Sequence, residues 1–259
     1  DDGEDWIEGG AQADLLQGDF GNPFQDDPNG GHVVIIGDGG DDDYDSEGGD
    51  DIMVAGPGIE RNEGMLGFDW VTHRGDPQPA DADFFFTGLL PPNIDAIRDR
   101  FDLVEGLSGW RFNDILRGDN RDATLMIGHE LNTAGIARIA GLGALLGGAT
   151  SFTGGNIILG GAGSDTIEGR GGNDVIDGDR WLNVQLRAPD PATTANINDT
   201  KLVDSMTQLR TDVFAGRINP GDITIVRSIV TTGVGPADVD TAVYTGGPPS
   251  GPDGILGTL

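Results

Sequence analysis

An apolar residue recurs at every ninth position over residues 151–186, with one exception, and small or polar residues separate these positions. Read in nines, the stretch is SFTGGNIIL, GGAGSDTIE, GRGGNDVID and GDRWLNVQL, with Ile158, Ile167, Ile176 and Gln185 at position eight. The first six positions of each nonad favour a tight turn, because glycine adopts positive φ without strain. The last three positions predict a short strand whose position-eight side chain points into a core.

Position six of the same nonads carries a side-chain oxygen, in Asn156, Asp165, Asp174 and Asn183. Calcium takes about six to eight oxygen ligands from carboxylates and carbonyl groups, so a single turn cannot complete its coordination shell. Two nonads form one coil, and each turn is therefore expected to lie against the turn eighteen residues later, with the ion between them. The predicted ligands in this block are Asn156, Gly160, Ala162, Asp165, Gly169, Gly171 and Asp174.

These nonads follow the pattern G-G-x-G-x-D-x-U-x, and the stretch resembles the RTX (haemolysin-type) calcium-binding β-roll repeat. The resemblance implies a parallel β-roll that binds several calcium ions, in a protein that is secreted, by type I secretion, or held at the cell surface. A disordered linker rich in glycine and aspartate is the alternative. The apolar residue at a fixed place in each nonad argues against it.

The same pattern occurs in residues 1–72, which we interpret as a first repeat block interrupted by a loop at 20–31. Stacking at an eighteen-residue interval places the turn that begins at Gly37 against the turn at Ala55, and the Ser46 turn against the Gly64 turn. The predicted ligands are Asp5, Asp14, Gly37, Gly39, Asp42, Gly48, Asp51 and Asp69.

A third, shorter block covers residues 101–119, where the nonad GWRFNDILR places Asp114 at position six and Leu116 at position eight. Asp114 is therefore also predicted to bind metal. Residues 73–100 leave the repeat and contain the apolar run FFFTGLL, which either folds back over one face of the roll or binds a partner. A short helix is expected at 94–101.

Residues 120–150 form a second excursion from the repeat. Apolar residues Ile136, Ile139, Leu142 and Leu146 recur at intervals of three or four, which predicts one or two helical turns that cap the roll. The adjacent His129 and Glu130 have no partner at metal-ligand spacing and are interpreted as a surface pair.

Residues 187–259 change character after the last repeat. Leu202, Met206, Leu209 and Val213 are spaced as on an amphipathic helix, and the segments DITIVRSIV and DTAVYTG predict strands. Trp181 is expected to cover the open edge of the roll.

Composition supports a calcium-dependent protein. The 44 acidic and 15 basic residues give a net charge of −29, which makes nucleic acid an unsuitable partner. Residues 1–60 contain eighteen acidic residues and no Lys or Arg, and bound divalent cations would relieve their repulsion.

The chain has no cysteine, so disulfides do not stabilise it. The most apolar stretch, residues 131–149, contains Arg138, so we expect no membrane span.

Four further segments are similar to parts of bacterial exoproteins that join an animal-type haem-peroxidase domain to RTX repeats. They read GPGIERNEGMLGFDWVTHRGDP, IRDRFDLVEGLSGWRFNDILRGD, GHELNTAGIARIAGL and FAGRINPGDITIVR. This resemblance implies a haem-peroxidase parent protein and neighbouring domains in a longer chain, which fits a sequence that begins in the middle of a repeat. No His-Arg-Asp constellation is found, so the chain itself is not expected to be an enzyme.

The sequence therefore predicts an all-β fold, a parallel β-roll or β-solenoid of nonapeptide repeats with short helical excursions and a small α+β C-terminal segment. Its expected divisions are residues 1–72, 73–100, 101–119, 120–150, 151–186 and 187–259. The expected function is a calcium-binding structural module that folds on export. The alternatives are a non-catalytic fragment of a peroxidase-type enzyme, an enzyme acting on carbohydrate, and a module for adhesion to a cell surface or protein partner.

Overall fold

The computed structural model describes residues 3–20, 30–87, 99–193, 199–232 and 238–244. Within these ranges the chain is mostly short strands with few helices. The strands are β1 (Trp6–Gly10), β2 (Leu15–Gln17), β3 (Val34–Asp38), β4 (Asp43–Asp45), β5 (Ile52–Val54), β6 (Arg61–Glu63), β7 (Trp70–Thr72), β8 (Asp81–Asp83), β9 (Arg100–Asp102), β10 (Gly106–Ser108), β11 (Ile115–Arg117), β12 (Ile157–Leu159), β13 (Thr166–Glu168), β14 (Val175–Asp177), β15 (Arg180–Pro189), β16 (Thr200–Val203), β17 (Thr224–Thr231) and β18 (Thr241–Val243). The helices are α1 (Thr133–Arg138), α2 (Leu142–Leu145) and α3 (Arg210–Phe214), with 3-10 turns at Met206–Gln208 and Pro220–Asp222.

Three parallel sheets contain the repeats. Sheet A has seven strands in the order β1-β3-β5-β7-β10-β12-β14. Sheet B has the order β2-β4-β6-β9, and sheet C has the order β18-β13-β11-β8. Successive strands from β1 to β14 alternate between sheet A and sheet B or C, except that β8 and β9 follow one another. Strands from all three predicted repeat blocks therefore share sheet A, although the separation of sheets B and C means that the described strands do not form one closed solenoid.

The register within sheet A follows the nonads. Val34 pairs with Ile52, which pairs with Trp70, and Ile157 pairs with Val175, each at an interval of eighteen residues. The predicted stacking of turns is confirmed. A Cβ atom on Gly56 would lie 1.8 Å from the carbonyl oxygen of Asp38, so the Gly37 and Ala55 turns are in contact.

The turns at Ser46 and Gly64 stack in the same way, since the Gly49 amide donates to the carbonyl of Leu66 at 2.8 Å. Insertions lengthen the interval between paired positions to 28, 36 or 51 residues without disturbing the parallel register.

The composition of the strands explains why sheet A is covered on both faces. Strands such as β3, β5 and β12 are apolar at successive positions, as in parallel sheets buried on two sides. Strands of sheets B and C, such as β11 and β13, are fully buried at the central position alone. The position-eight residues of all three sheets, including Ile35, Tyr44, Met53, Leu116, Ile158 and Ile167, form one inner core.

The outer face of sheet A is covered by the second excursion and by the C-terminal segment. Ile136, Ile139 and Leu142 of the helical segment pack with Ile52 and Ile157 in a second core. Leu182 and Val184 of β15 join the same core. The predicted helical turns in residues 120–150 are therefore confirmed, but they lie across the face of sheet A rather than over an end of the roll.

Two predictions for the C-terminal segment are wrong. The fourth nonad does not form a turn, since Asn183 and Gln185 lie within β15, which pairs with β16 and β17 in an antiparallel sheet. The single amphipathic helix is also absent, because Leu202 lies in β16 and a 3-10 turn precedes α3. The two predicted strands are confirmed as β17 and β18.

The first excursion also differs from its prediction. Residues 81–83 belong to the segment expected to leave the repeat, but they form β8 in sheet C. Phe101, at the end of the expected helix, lies in β9, and the rest of that helix falls largely outside the described residues. Phe84 is buried against Phe101, with ring centroids 5.1 Å apart. The apolar run therefore folds back onto the core at least at its first residue.

Candidate metal sites in the stacked turns

The turns form two columns, one at each end of the strands of sheet A. We call the turns that follow sheet A strands exit turns and those that precede them entry turns. The strand register places Asp14, Asp42, Glu60, Asp114, Asp165 and Asp240 at position six of exit turns. It places Asp5, Val33, Asp51, Asp69, Glu105, Asn156 and Asp174 at position six of entry turns.

Backbone amides connect the acidic residues within the exit column. The amide of Asp114 donates to Oδ1 of Asp165 at 2.8 Å, and the amide of Asp165 donates to Oδ1 of Asp240 at 2.9 Å. Asp42 accepts from the amide of Asp14 at 2.9 Å, and Asp114 accepts from the amide of Ala80 at 2.8 Å. Each carboxylate is thus held by the preceding turn of the column.

The entry column is built in the same way. Asp69 accepts from the amide of Asp51 at 2.9 Å, and Glu105 accepts from the amide of Asp69 through Oε2 at 2.9 Å. The amide of Asn156 donates to Oδ1 of Asp174 at 2.8 Å. In both columns one oxygen of each of these carboxylates is held by a backbone amide of a neighbouring turn.

Carboxylate oxygens without a hydrogen-bond donor are one sign that a cation fits these turns. Oδ2 of Asp69 and Oδ2 of Asp165 are buried and accept no hydrogen bond. The same oxygen of Asp42 and of Asp51 is buried without a bonded donor, although the hydroxyls of Tyr44 and Ser46 lie nearby. Buried polar atoms in proteins are nearly always paired, so orphan carboxylate oxygens call for a partner such as an ion.

The glycines at position one are another sign that a cation fits these turns. A Cβ atom on Gly160 would lie 2.3 Å from Oδ2 of Asp165 and 2.7 Å from the carbonyl oxygen of Gly178. A Cβ atom on Gly109 would lie 2.3 Å from Oδ2 of Asp114 and 2.4 Å from the carbonyl oxygen of Gly160. Glycine is required here because carboxylate and carbonyl oxygens of two stacked turns converge on the space where a side chain would begin.

Electrostatics also favour a cation in the turns. Burial raises the pKa of both Asp165 and Asp174 to about 7, and neighbouring carboxylates add to the effect. Burial raises the pKa of Asp51 and Asp69 well above the usual range as well. Glu60, beside Asp99, has its pKa raised to about 10, mainly by burial. A divalent ion would stabilise the ionised form of each group.

The sequence-predicted ligands separate cleanly between the two columns. Those on exit turns are Asp14, Gly37, Gly39, Asp42, Asp114, Gly160, Ala162 and Asp165. Those on entry turns are Asp5, Gly48, Asp51, Asp69, Asn156, Gly169, Gly171 and Asp174. The register places these residues in stacked turns or, for Gly37, at the end of the strand that leads into one, and their role as ligands remains a prediction.

The predicted ligands omit four acidic residues at position six of the columns, Glu60, Asp99, Glu105 and Asp240. Glu105 precedes β10 with Leu107 two residues later, and Asp240 precedes β18 with Ala242 two residues later. This D/E-x-apolar signal is present in both places. All three glycines of the pattern are missing before Glu105 and two of the three are missing before Asp240, so the signal is too short to stand out.

Another group of metal-ligating side chains lies at the entry turn of Glu105. Ligand atoms of Asp69, Glu105 and His129 all lie within 4.8 Å of one another, and the three residues are buried. The interpretation of His129 as half of a surface pair is therefore wrong. Its Nδ1 lies 3.1 Å from the carbonyl oxygen of Gly67 and 3.5 Å from Oε1 of Glu105.

Parallel strands joined by stacked acidic turns define a class of β-rich proteins built from nonapeptide repeats. Within this chain, residues 1–23 and 150–180 match the family model of the RTX calcium-binding nonapeptide repeat (4 copies). These two segments are therefore similar to calcium-binding repeats, and they include Asp5, Asp14, Asp165 and Asp174.

No curated protein and no solved structure matches the chain. The resemblance to exoproteins with a haem-peroxidase domain thus remains a prediction. None of the helices in the described part of the chain has the length and hydrophobicity needed to span a bilayer.

Proposed function

We propose that this chain is a calcium-binding structural module of a secreted exoprotein, an open β-roll whose stacked turns hold several calcium ions. The observation that carries the proposal is the pair of buried carboxylate columns, in which orphan oxygens such as Oδ2 of Asp165 face glycine carbonyls of stacked turns. The ions would provide the positive charge that these buried acidic residues lack.

The exit turns of Asp114 and Asp165 and the entry turns of Asp51, Asp69 and Asp174 are the best candidates for ion binding. In each, one carboxylate oxygen is fixed by a backbone amide of the neighbouring turn, which orients the other oxygen. A ligand that is already oriented loses less conformational freedom when the ion binds. The remaining predicted ligands contribute through backbone carbonyls of glycine and alanine.

The donor chemistry favours calcium over other divalent ions. The candidate turns offer many carboxylate and carbonyl oxygens, whereas the whole chain contains no cysteine and three histidines. Zinc and copper prefer nitrogen and sulfur ligands, whereas calcium takes many oxygens in a flexible arrangement. Magnesium demands a smaller and more regular shell than stacked backbone carbonyls readily form.

Calcium binding would then control folding. Buried carboxylates repel one another until ions arrive, and binding free energy becomes folding free energy. Extracellular calcium is high enough to fill sites of millimolar affinity and cytosolic calcium is not. The module would therefore remain unfolded before export and fold outside the cell, as part of a longer chain.

The test is a calcium titration of the whole chain followed by circular dichroism and calorimetry. We expect strand content and the number of bound ions to rise together as calcium is added after EGTA treatment, and magnesium at the same concentration to have little effect. Strand content that is the same in EGTA and in calcium would contradict the proposal.

A second candidate function, binding of a protein partner, is favoured by one surface. Phe85 and Leu125 are 54 % and 64 % exposed and line the same cavity of about 370 Å³, beside Phe101. Exposed apolar residues that share a concave surface are typical of interaction sites. Size-exclusion chromatography with light scattering, in calcium and in EGTA, would detect self-association, and Leu125→Ser should abolish it if this surface is responsible.

A further inference from the structure

The entry turn of Glu105 differs from the other acidic turns, because a cation supplied by the chain already occupies it. The guanidinium of Arg121 donates from Nη1 to Oε1 of Glu105 at 2.8 Å and from Nη2 to the carbonyl oxygen of Val104 at 2.5 Å. Its Nε donates to Oδ2 of Asp119 at 2.5 Å. Two carboxylates and one backbone carbonyl are the kind of oxygen donors that the other turns offer to an ion.

The position of Arg121 in the repeat shows why it reaches this place. The amide of Gly171 donates to the carbonyl of Asp119, and a Cβ atom on Gly172 would lie 2.6 Å from the carbonyl oxygen of Arg121. Arg121 thus stacks on position four of the next turn, where that turn has glycine. A long basic side chain replaces the glycine and extends back to the preceding turn of the column.

The neighbouring position-six residues fit the same interpretation. The entry column runs from Asp51 and Asp69 to Glu105, then to Asn156 and finally to Asp174. Asn156 is neutral, and its Oδ1 already accepts the amide of Asp119 at 2.8 Å. From Asp51 to Asp174, the one neutral position-six residue is therefore in the turn that carries the arginine, as expected where no divalent ion binds.

A second arginine reinforces this turn from the other side. Arg170 donates from Nη1 and Nη2 to the two carboxylate oxygens of Asp83 at 2.6 and 2.8 Å, and from Nη1 to the carbonyl oxygen of Gly118 at 2.8 Å. Bidentate pairs of arginine with a carboxylate are among the strongest hydrogen-bonded pairs in proteins. Arg121 lies at the start of the second excursion, and Arg170 pairs with Asp83 of the first, so both arginines belong to the part of the molecule where the repeats are interrupted.

We propose that Arg121 takes the place of a calcium ion between the Glu105 and Gly118 turns, so that the middle of the molecule has a calcium-independent turn pair and a latent calcium site. The inference rests on the proposed function, because it assumes that the other acidic turns bind calcium. Under this inference, the central turns fold without calcium and the outer turns require calcium to fold.

The first experiment counts calcium ions per chain by native mass spectrometry in saturating calcium. Arg121→Ala should bind one ion more than the unmodified chain, because Glu105 and Asp119 are released to act as ligands. Arg117→Ala is the matched control, since Arg117 forms a surface pair with Asp81 outside the turns and should leave the count unchanged. A folded Arg121→Ala variant with an unchanged ion count would overturn the proposal.

If Arg121→Ala does not fold, a second variant tests the proposal. Glu105→Gln retains the length of the side chain and should leave the ion count unchanged, whereas Asp165→Asn should lower the count when calcium is limited to the concentration that just fills the unmodified chain. Loss of an ion from Glu105→Gln would overturn the proposal. So would zinc binding to the unmodified chain that His129→Ala abolishes, since an ion among Asp69, Glu105 and His129 would compete with Arg121 for Glu105.

Hydrogen exchange in EGTA distinguishes a failure of this inference from a failure of the proposed function. We expect amides of residues 104–107 to exchange at least tenfold more slowly than those of residues 160–167 in the absence of calcium. Equal exchange rates in the two segments would overturn the inference. A chain that binds no calcium at all would refute the proposed function instead, and the ion count reports that directly.

Discussion

The backbone amide of Asp114 donates a hydrogen bond of 2.8 Å to Oδ1 of Asp165, although 51 residues separate the two in sequence. The helical excursion at residues 120–150 lies between them and does not disturb this contact. The hydrogen bond leaves Oδ2 of Asp165 buried and without a donor, directed at the position-one glycine of its own turn. This pair therefore shows in one place how the fold prepares a carboxylate for a cation.

The first prediction concerns that carboxylate. Asp165→Asn keeps an oxygen to accept the amide of Asp114 but removes the charge, so we expect calcium affinity at this turn to fall by about tenfold or more, equivalent to about 1.4 kcal/mol. Isothermal titration calorimetry measures the change. Asp81→Asn is the control, because Asp81 lies on a strand and forms an exposed pair with Arg117. An equal loss of affinity in both variants would contradict the prediction.

The second prediction is a dependence of stability on pH that reverses with calcium. Burial raises the pKa of Asp165 and Asp174 in the folded chain to about 7, from 3.8 for an ordinary aspartate. The folded state therefore binds protons more tightly than the unfolded state, and this contribution to stability is lost as pH rises from 3.8 towards 7. In EGTA the melting temperature should be higher at about pH 5 than at about pH 8.

Calcium should reverse that order, because its ligands must be ionised and its affinity rises as protons are released. The calcium-induced increase in melting temperature should thus be larger at about pH 8 than at about pH 5. Differential scanning calorimetry at both pH values, with and without calcium, provides the comparison. A melting temperature in EGTA that rises with pH would be the opposite of the expected result.

The third prediction tests the steric role of a position-one glycine. Gly160→Ala would place a Cβ atom 2.3 Å from Oδ2 of Asp165, closer than any real contact, so the turn must open and its ion affinity must fall. Gly143→Ala is the matched control, since its Cβ would lie 3.5 Å from Ile136 in ordinary contact. Because alanine is favoured over glycine within helices by about 1 kcal/mol, the control should be neutral or slightly stabilising.

Calcium titration and urea denaturation of the two glycine variants give the required measurements. Normal calcium binding by Gly160→Ala would show that the turn has more room than its geometry indicates.

The fourth prediction concerns the helical segment on the outer face of sheet A. Leu142 is fully buried there, so Leu142→Ala should lower the free energy of unfolding by about 2–5 kcal/mol. Urea denaturation in saturating calcium measures this loss, and the ion count should not change because Leu142 lies outside the turns. Leu125→Ala, at a side chain that is 64 % exposed, should cost far less. Similar losses in the two variants would argue against the observed packing.

The inward-facing residues of the repeats were predictable because their spacing is fixed by geometry. Ile35, Tyr44 and Met53 are nine residues apart, and each is buried in the core between the sheets. The stacking of turns at eighteen residues follows from the same periodicity and is observed in sheet A. A pattern that is repeated several times is readable in sequence even when single residues deviate from it.

Interrupted repeats were harder to interpret. Glu105 follows its neighbour in the column, Asp69, after 36 residues, and most of the sequence between them departs from the repeat. Asp240 is joined to Asp165 across 75 residues, a contact that no local pattern encodes. The partners of His129 and Arg121 likewise come from distant parts of the chain, so their burial could be learned only from the structure.

The misread fourth nonad shows how two periodicities compete. Residues 180–188 keep a plausible position six at Asn183, but Leu182, Val184, Leu186 and Ala188 are all buried and alternate with less buried residues. That period of two is typical of a long strand with one buried face. A long strand forms here because buried and less buried residues continue to alternate through the place where the next turn of the repeat would begin.

The ladder of sheet A joins paired positions that lie 18, 28, 36 or 51 residues apart, yet neighbouring strands remain in register throughout. The sheet therefore sets no limit on how much chain is inserted at a turn, provided that the ends of the insert return to adjacent places. Foreign peptides grafted next to Asn120, within the longest interval between paired strands of sheet A, should be displayed on the molecule without altering the order of its strands.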